Sequence, residues 1–143
     1  MITKPTVLVL GAGASSHVRY PLGSQLVNDI CQNKGRSYKG EMPPHFSVEE
    51  LDYFYARLSR GAYNSIDTFL GTEPVKSELG KYILARQMKS YENIDTLFRP
   101  NDSGWYHYLF NRLLGNNDVS GFESSYLSIV TFNYDRSLEV YLH

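Results

Sequence analysis

Thr6-Val7-Leu8-Val9-Leu10 constrains the chain most: it is continuously apolar after Thr6, β-branched at Val7 and Val9, and runs straight into Gly11-Ala12-Gly13-Ala14-Ser15-Ser16. An apolar run without alternation is the pattern of a strand covered on both faces in a parallel sheet. Leu22, Leu26, Val27 and Ile30 then recur at helical spacing after Pro21, so residues 6–33 read as strand, glycine turn, loop and helix. A parallel strand needs a partner, and the second candidate is Leu127-Ser128-Ile129-Val130-Thr131-Phe132. It leads into Asn133-Tyr134-Asp135 and a short helical run, Arg136 to His143. The expected fold class is α/β, built on a Rossmann-type parallel sheet.

Between these strands the pattern is helical. Asn33 to Phe46 has two adjacent prolines and little periodicity and reads as a loop. Ser47 with Glu50 has capping-box spacing before a face of Leu51, Phe54, Tyr55 and Leu58. Ser65 to Leu70, Val75 to Lys89, and Trp105 to Leu114, with a face of Trp105, Leu109, Phe110 and Leu113, carry similar periodicity. The spacing predicts about five helices and a helical insert over about 47–115. Two strands do not complete a doubly wound sheet. Residues 1–143 are therefore expected to be the N-terminal part of one domain, with further strands beyond His143.

Composition narrows the partners. The 143 residues carry 14 Lys+Arg and 15 Asp+Glu, a net charge of −1, which provides no basic field for nucleic acid or an anionic membrane surface. Hydrophobic residues at 42% suffice for a core. Cys31 is the single cysteine, so neither an intrachain disulfide nor a cysteine zinc site can form from this chain. No metal and a cytoplasmic location are expected. The apolar stretch after Met1–Pro5 is too short for a signal-peptide core or a membrane span.

Two constellations could carry chemistry. Small residues after a buried strand let the backbone approach a phosphate, with N–H donors from the following helix. The match to G-x-G-x-x-G fails at Ser16, and Asp29 lies inside the first helix rather than on a second strand. An ordinary dinucleotide fold is thereby disfavoured, and a plain strand-to-helix turn remains the alternative. If the strands are parallel, Asn133 and Asp135 meet the same crevice as the glycine turn. Asn133 could grip ribose hydroxyls or a water without placing a charge against an oxocarbenium-like transition state, and Asp135 could accept from a carboxamide NH₂. The alternative for both is an Asx turn or a helix cap. His17 could reach phosphate or ribose, and Arg19 could meet phosphate. His45, His107 and His143 read as structural or exposed. The aromatics of Leu51–Tyr55 and Trp105–Phe110 surround more than one helix face, so core packing competes with self-association into a homo-oligomer.

Gly11-Ala12-Gly13-Ala14-Ser15 after a strand, Pro21-Leu22-Gly23 opening a helix, and Thr131-Phe132-Asn133-Tyr134-Asp135 together resemble the sirtuin-like (silent information regulator-like) NAD-binding family. The likeness is to the branch found in bacterial anti-phage defence proteins, in which Ser65-Ile66-Asp67-Thr68-Phe69-Leu70 also resembles a common helical segment. The resemblance implies that Gly11, Gly13 and Ser15, with Ala12 and Ala14 between them, cradle the NAD pyrophosphate near His17 and Arg19. It likewise implies that Asn133 and Asp135, after Thr131, contact the nicotinamide ribose and carboxamide as catalytic residues. The implied activity is NAD+ glycohydrolysis to nicotinamide and ADP-ribose, with NAD as substrate. The alternatives are NAD-dependent protein deacylation and a non-catalytic NAD or ADP-ribose sensor or assembly module. Deacylating members have Gln where this chain has Phe132, and they carry a four-cysteine zinc module. The family's catalytic His lies C-terminal to the Asn motif, beyond His143.

Overall fold

The computed structural model describes residues 2–34, 46–73, 77–99, 104–114 and 120–143. In chain order the elements are β1 (Thr6–Leu10), a 3-10 helix (Ala12–Val18), α1 (Gly23–Gln32), α2 (Val48–Arg60), α3 (Ile66–Thr72), α4 (Ser77–Lys89), α5 (Ile94–Leu97), α6 (Trp105–Leu113), α7 (Ser120–Glu123), β2 (Leu127–Thr131) and α8 (Ser137–Leu142). The chain is mixed α/β, mostly helical, with a small two-stranded parallel sheet. Among the described residues no helix is long and apolar enough to cross a membrane.

The chain divides into two compact units, Met1–Tyr20 with Asn93–His143, and Pro21–Glu92. In the first, β1 and β2 pair in parallel from Thr6 opposite Leu127 to Leu10 opposite Thr131. The residues that follow the two strands therefore emerge at the same sheet edge. Leu8, Leu10, Leu127 and Ile129 pack on a core of Val18, Leu97, Tyr106, Leu109, Leu113 and Leu138. Within the described residues the sheet is covered on one face only. Alternate residues Val7 and Val9 are 62% and 67% exposed, and Val130 is also exposed. Apolar character on both faces of a strand does not by itself supply a second covering layer.

The second unit is a packed set of α1–α4. Its core joins Leu26, Val27 and Ile30 of α1 to Leu51, Phe54 and Leu58 of α2, Phe69 of α3 and Leu79 and Ile83 of α4. Phe54 and Phe69 meet edge to face at 5.1 Å, the arrangement ring quadrupoles favour. Asp29 is occupied within this unit, accepting a hydrogen bond from the Tyr91 hydroxyl. Burial and this carboxylate push the Tyr91 phenol up from its ordinary value.

The longer predicted helices form within about two residues of their expected bounds. The start expected at Val75, like most of the loop over 33–46 and its His45, lies outside the described residues. Eight α-helical segments occur among the described residues rather than about five. The unexpected ones are short, and Ala12-Gly13-Ala14-Ser15-Ser16 has no apolar periodicity to announce the 3-10 helix.

The capping box at α2 is complete: Glu50 N–H donates to Ser47 Oγ at 3.2 Å and Ser47 N–H donates to Glu50 Oε2 at 3.0 Å. Ser47→Ala is expected to lower stability by about 1 kcal/mol, read as a fall in the denaturant midpoint with an unchanged slope.

Candidate functional site

The site grows from β1 and β2. Phe132 N–H donates to Leu10 O at 3.0 Å, carrying the strand pairing one step past β2, and Thr131 Oγ1 then accepts Asn133 N–H at 3.1 Å. On the other strand, Gly11 begins the turn and its carbonyl accepts Ala14 N–H at 2.8 Å. The 3-10 helix follows at once, where the sequence predicts a turn and loop. It places Ser15, fully buried, beneath the β2 end.

Four side chains converge on Ser15 Oγ: Asp135 Oδ1 at 3.0 Å, Asn133 Nδ2 at 3.1 Å, Tyr106 OH at 3.2 Å and Ser137 Oγ at 3.3 Å. A hydroxyl has one proton and two lone pairs, so the protons can be followed. Asp135 Oδ1 accepts from Ser15 Oγ, from Ser137 N–H at 3.1 Å and, over a short distance, from Ser137 Oγ. With both serine protons on Asp135, Tyr106 OH donates, at 2.7 Å to Ser137 Oγ. Ser15 Oγ accepts from Asn133 Nδ2. Burial raises the Tyr106 phenol, against the lowering effect of its bonds to Ser137 and Ser15, and keeps it a donor at neutral pH.

This network orients the Asn133 amide. Its nitrogen faces Ser15 because the Ser15 proton is committed elsewhere, and its Oδ1 is buried without a hydrogen-bond partner. A second buried atom is also unpartnered: His17 Nε2. His17 Nδ1 lies 3.1 Å from Ala14 O, and a carbonyl only accepts, so Nδ1 carries the proton. In the neutral ring Nε2 is then an acceptor. The imidazole stands edge-on to Tyr106 at 4.4 Å, and Trp105 Nε1 donates to the same Ala14 carbonyl at 2.7 Å.

Gly11 and Gly13 adopt no positive φ, and a Cβ built on either would meet nothing within 4 Å. The fold supplies no steric reason for glycine at these two positions. Ala12 is exposed and Ala14 acts through its carbonyl. Arg19 ends the 3-10 helix at φ 70°, a left-handed position, with its N–H on Ser16 O at 3.0 Å. Of the predicted set, Ser15, Thr131, Asn133 and Asp135 are brought into one hydrogen-bonded network, His17 stands beside it against the Tyr106 ring, and Arg19 has a backbone role and an exposed side chain.

Tyr106, Ser137 and Trp105 belong to the site without having been singled out for it. Tyr106, Leu109 and Leu113 are the buried face of α6: Leu109 and Leu113 lie on it as predicted, whereas Tyr106 is buried and Trp105 and Phe110 are half-buried. A tyrosine on a buried helical face requires a partner for its hydroxyl, and that was the available signal. His107 and His143 are exposed. Among the described residues no group of three or more His, Cys, Asp or Glu side chains could hold a metal. No family model, curated protein or solved structure matches the chain.

Ser15→Ala removes the proton that reaches Asp135 and the acceptor for Asn133 inside a buried network. It is expected to cost about 2 kcal/mol, measured by urea unfolding. Ser15→Thr, which keeps the hydroxyl, should lose less if its methyl is accommodated.

Proposed function

We propose that this chain is part of a sirtuin-like NAD-binding domain whose protein cleaves the nicotinamide–ribose bond of NAD+, giving nicotinamide and ADP-ribose. The observation that carries the reading is the pair of buried atoms without partners, Asn133 Oδ1 and His17 Nε2, the latter an acceptor in the neutral ring. Native structures rarely leave buried acceptors unmade. Acceptors of this kind suit ribose hydroxyls or a carboxamide NH₂, both of which are donors. The glycines support the reading independently. Gly13, inside the 3-10 helix, costs the folded chain roughly 0.5–1 kcal/mol relative to alanine, and the open space over both leaves room for a ligand that must lie against the backbone.

In this mechanism Asn133 orients the ribose and a water through Oδ1. Its neutrality matters, because positive charge develops at the anomeric carbon as the bond to nicotinamide breaks. Asp135 holds the Asn133 orientation through Ser15, since its Oδ1 accepts from Ser15 and Ser137. It therefore serves as a positioning residue, and that work is already visible in its hydrogen bonds. His17 supplies an acceptor beside the turn, and the Gly11–Gly13 backbone lies against the pyrophosphate. Anti-phage defence is the setting that the family resemblance implies.

A binding-only module is favoured by one specific feature: the Asp135 Oδ1 commitment to Ser15 and Ser137, which leaves the motif's carboxylate with a structural task. The deacylase alternative has no comparable support.

Nicotinamide release from NAD+ by the full-length protein tests the reading. Asn133→Ala is expected to reduce release at least 100-fold, while the loss of its bond to Ser15 lowers stability by only about 1 kcal/mol. Gly13→Ala is expected to leave the melting temperature unchanged or raised and to abolish the thermal stabilisation by saturating NAD. NAD binding without release would establish the binding module. Failure of NAD and ADP-ribose to raise the melting temperature of the unaltered protein would reject both readings.

A further inference from the structure

A second recess lies at the other end of β1. The glycine turn follows Leu10, whereas this cleft of about 510 Å³ is built around Thr6 and Leu8 and the segment that leads into the strand. Leu8, Leu109 and Leu127 contribute its apolar surface, and Trp105 and Tyr108, three residues apart on one face of α6, contribute aromatic surface. Lys4 and Arg112 supply two positive charges. Among the described lining residues there is no Asp or Glu.

The chemistry of this lining selects its occupant. The volume falls in the range of small-molecule sites, which combine mainly apolar walls with a few polar groups that fix orientation. Flat aromatic walls favour a flat apolar body. Two cations, with no Asp or Glu among the described lining residues, favour one anionic head, and a guanidinium matches the planar oxygens of a carboxylate or sulfonate. Arg112 already takes part in another interaction, so its charge, not a vacancy, is what counts. Tyr108 is 69% exposed and Lys4 is exposed, so the recess can be entered from solvent.

We propose that this cleft is a binding site for a small amphipathic anion, a flat apolar body ending in a carboxylate or sulfonate, distinct from the glycine-turn site. It does not rest on the NAD reading, since it uses neither motif. Both sites lie in the first unit of the fold, and Trp105 is the one side chain they have in common, its indole N–H on Ala14 O and its ring in the cleft lining.

Trp105 lines the cleft, so its indole N–H resonance, identified by its loss in Trp105→Phe, reports occupancy. The probe is 1-anilinonaphthalene-8-sulfonate, with the uncharged N-phenyl-1-naphthylamine as control, each titrated into the full-length protein. The sulfonate is expected to shift the Trp105 indole resonance saturably at one equivalent, and the neutral dye to bind at least tenfold more weakly. The double variant Lys4→Gln/Arg112→Gln should lose at least tenfold in sulfonate affinity, with neutral-dye affinity unchanged. Thr3→Glu, at an exposed lining residue, should produce the same selective loss by a separate route. Equal affinity for both dyes, sulfonate binding unaffected by either variant, or dye fluorescence with no saturable indole shift would each overturn the proposal. The last of these would mark adsorption elsewhere, such as the exposed Val7 and Val9 face.

Discussion

The Ser15 hydroxyl has a single proton, and the arrangement of the first unit depends on where it goes. Asp135 Oδ1 takes that proton together with the Ser137 hydroxyl and amide protons, so hydrogen bonding around it runs inward. Tyr106 must then donate, Ser15 must accept from Asn133, and the Asn133 amide can face only one way. Buried polar networks are stable only when nearly every member is satisfied. The unpartnered Asn133 Oδ1 is therefore a consequence of this network and not a loose end. It marks the place where satisfaction within the chain ends.

The strand pairing makes this possible at long range. Ser15 and Asp135 are 120 positions apart in sequence, and loop closure over such a span has an entropic cost that grows slowly with length. Five residue pairs of parallel sheet meet that cost and deliver Leu10 and Thr131 side by side. The following residues need only local geometry: a 3-10 helix on one strand and an Asx-type contact from Asp135 to Ser137 N–H on the other. The Asx-turn alternative read from Asn133-Tyr134-Asp135 and the ligand-facing role are thus compatible. Asp135 performs the first and leaves Asn133 Oδ1 without a partner, as the proposed second role requires.

What was legible in the sequence follows the range of the interaction that encodes it. The apolar runs 6–10 and 127–132 and the Ser47–Glu50 box are local patterns, and the corresponding strands and cap form almost as read. Coverage of the sheet is not local: Val7 and Val9 look identical in sequence whether or not another layer lies over them. On α6, Leu109 and Leu113 are buried as the spacing predicts, but at the start of the helix Trp105 and Tyr106 are both amphipathic and the pattern does not choose between them. Only the hydroxyl's need for Ser137 and Ser15, far away in the chain, decides that Tyr106 turns inward. Ser137 had no signal of its own. Of the site, the two motifs and their convergence could be read, whereas the proton order that gives Asn133 its orientation required coordinates.

Trp105 joins the two ends of the sheet. Its indole N–H is committed to Ala14 O, which also receives His17 Nδ1–H, while its ring lines the cleft beside β1. A carbonyl has two lone pairs, and tryptophan and histidine side chains both approach this one. An occupant that displaced the indole would free one lone pair of Ala14 O and loosen the neighbour that holds His17. Such a contact passes displacement in both directions, because any coupling between two sites is reciprocal in binding free energy. The shared Ala14 carbonyl therefore gives the cleft and the glycine turn a physical connection one residue wide, carried by atoms already in contact.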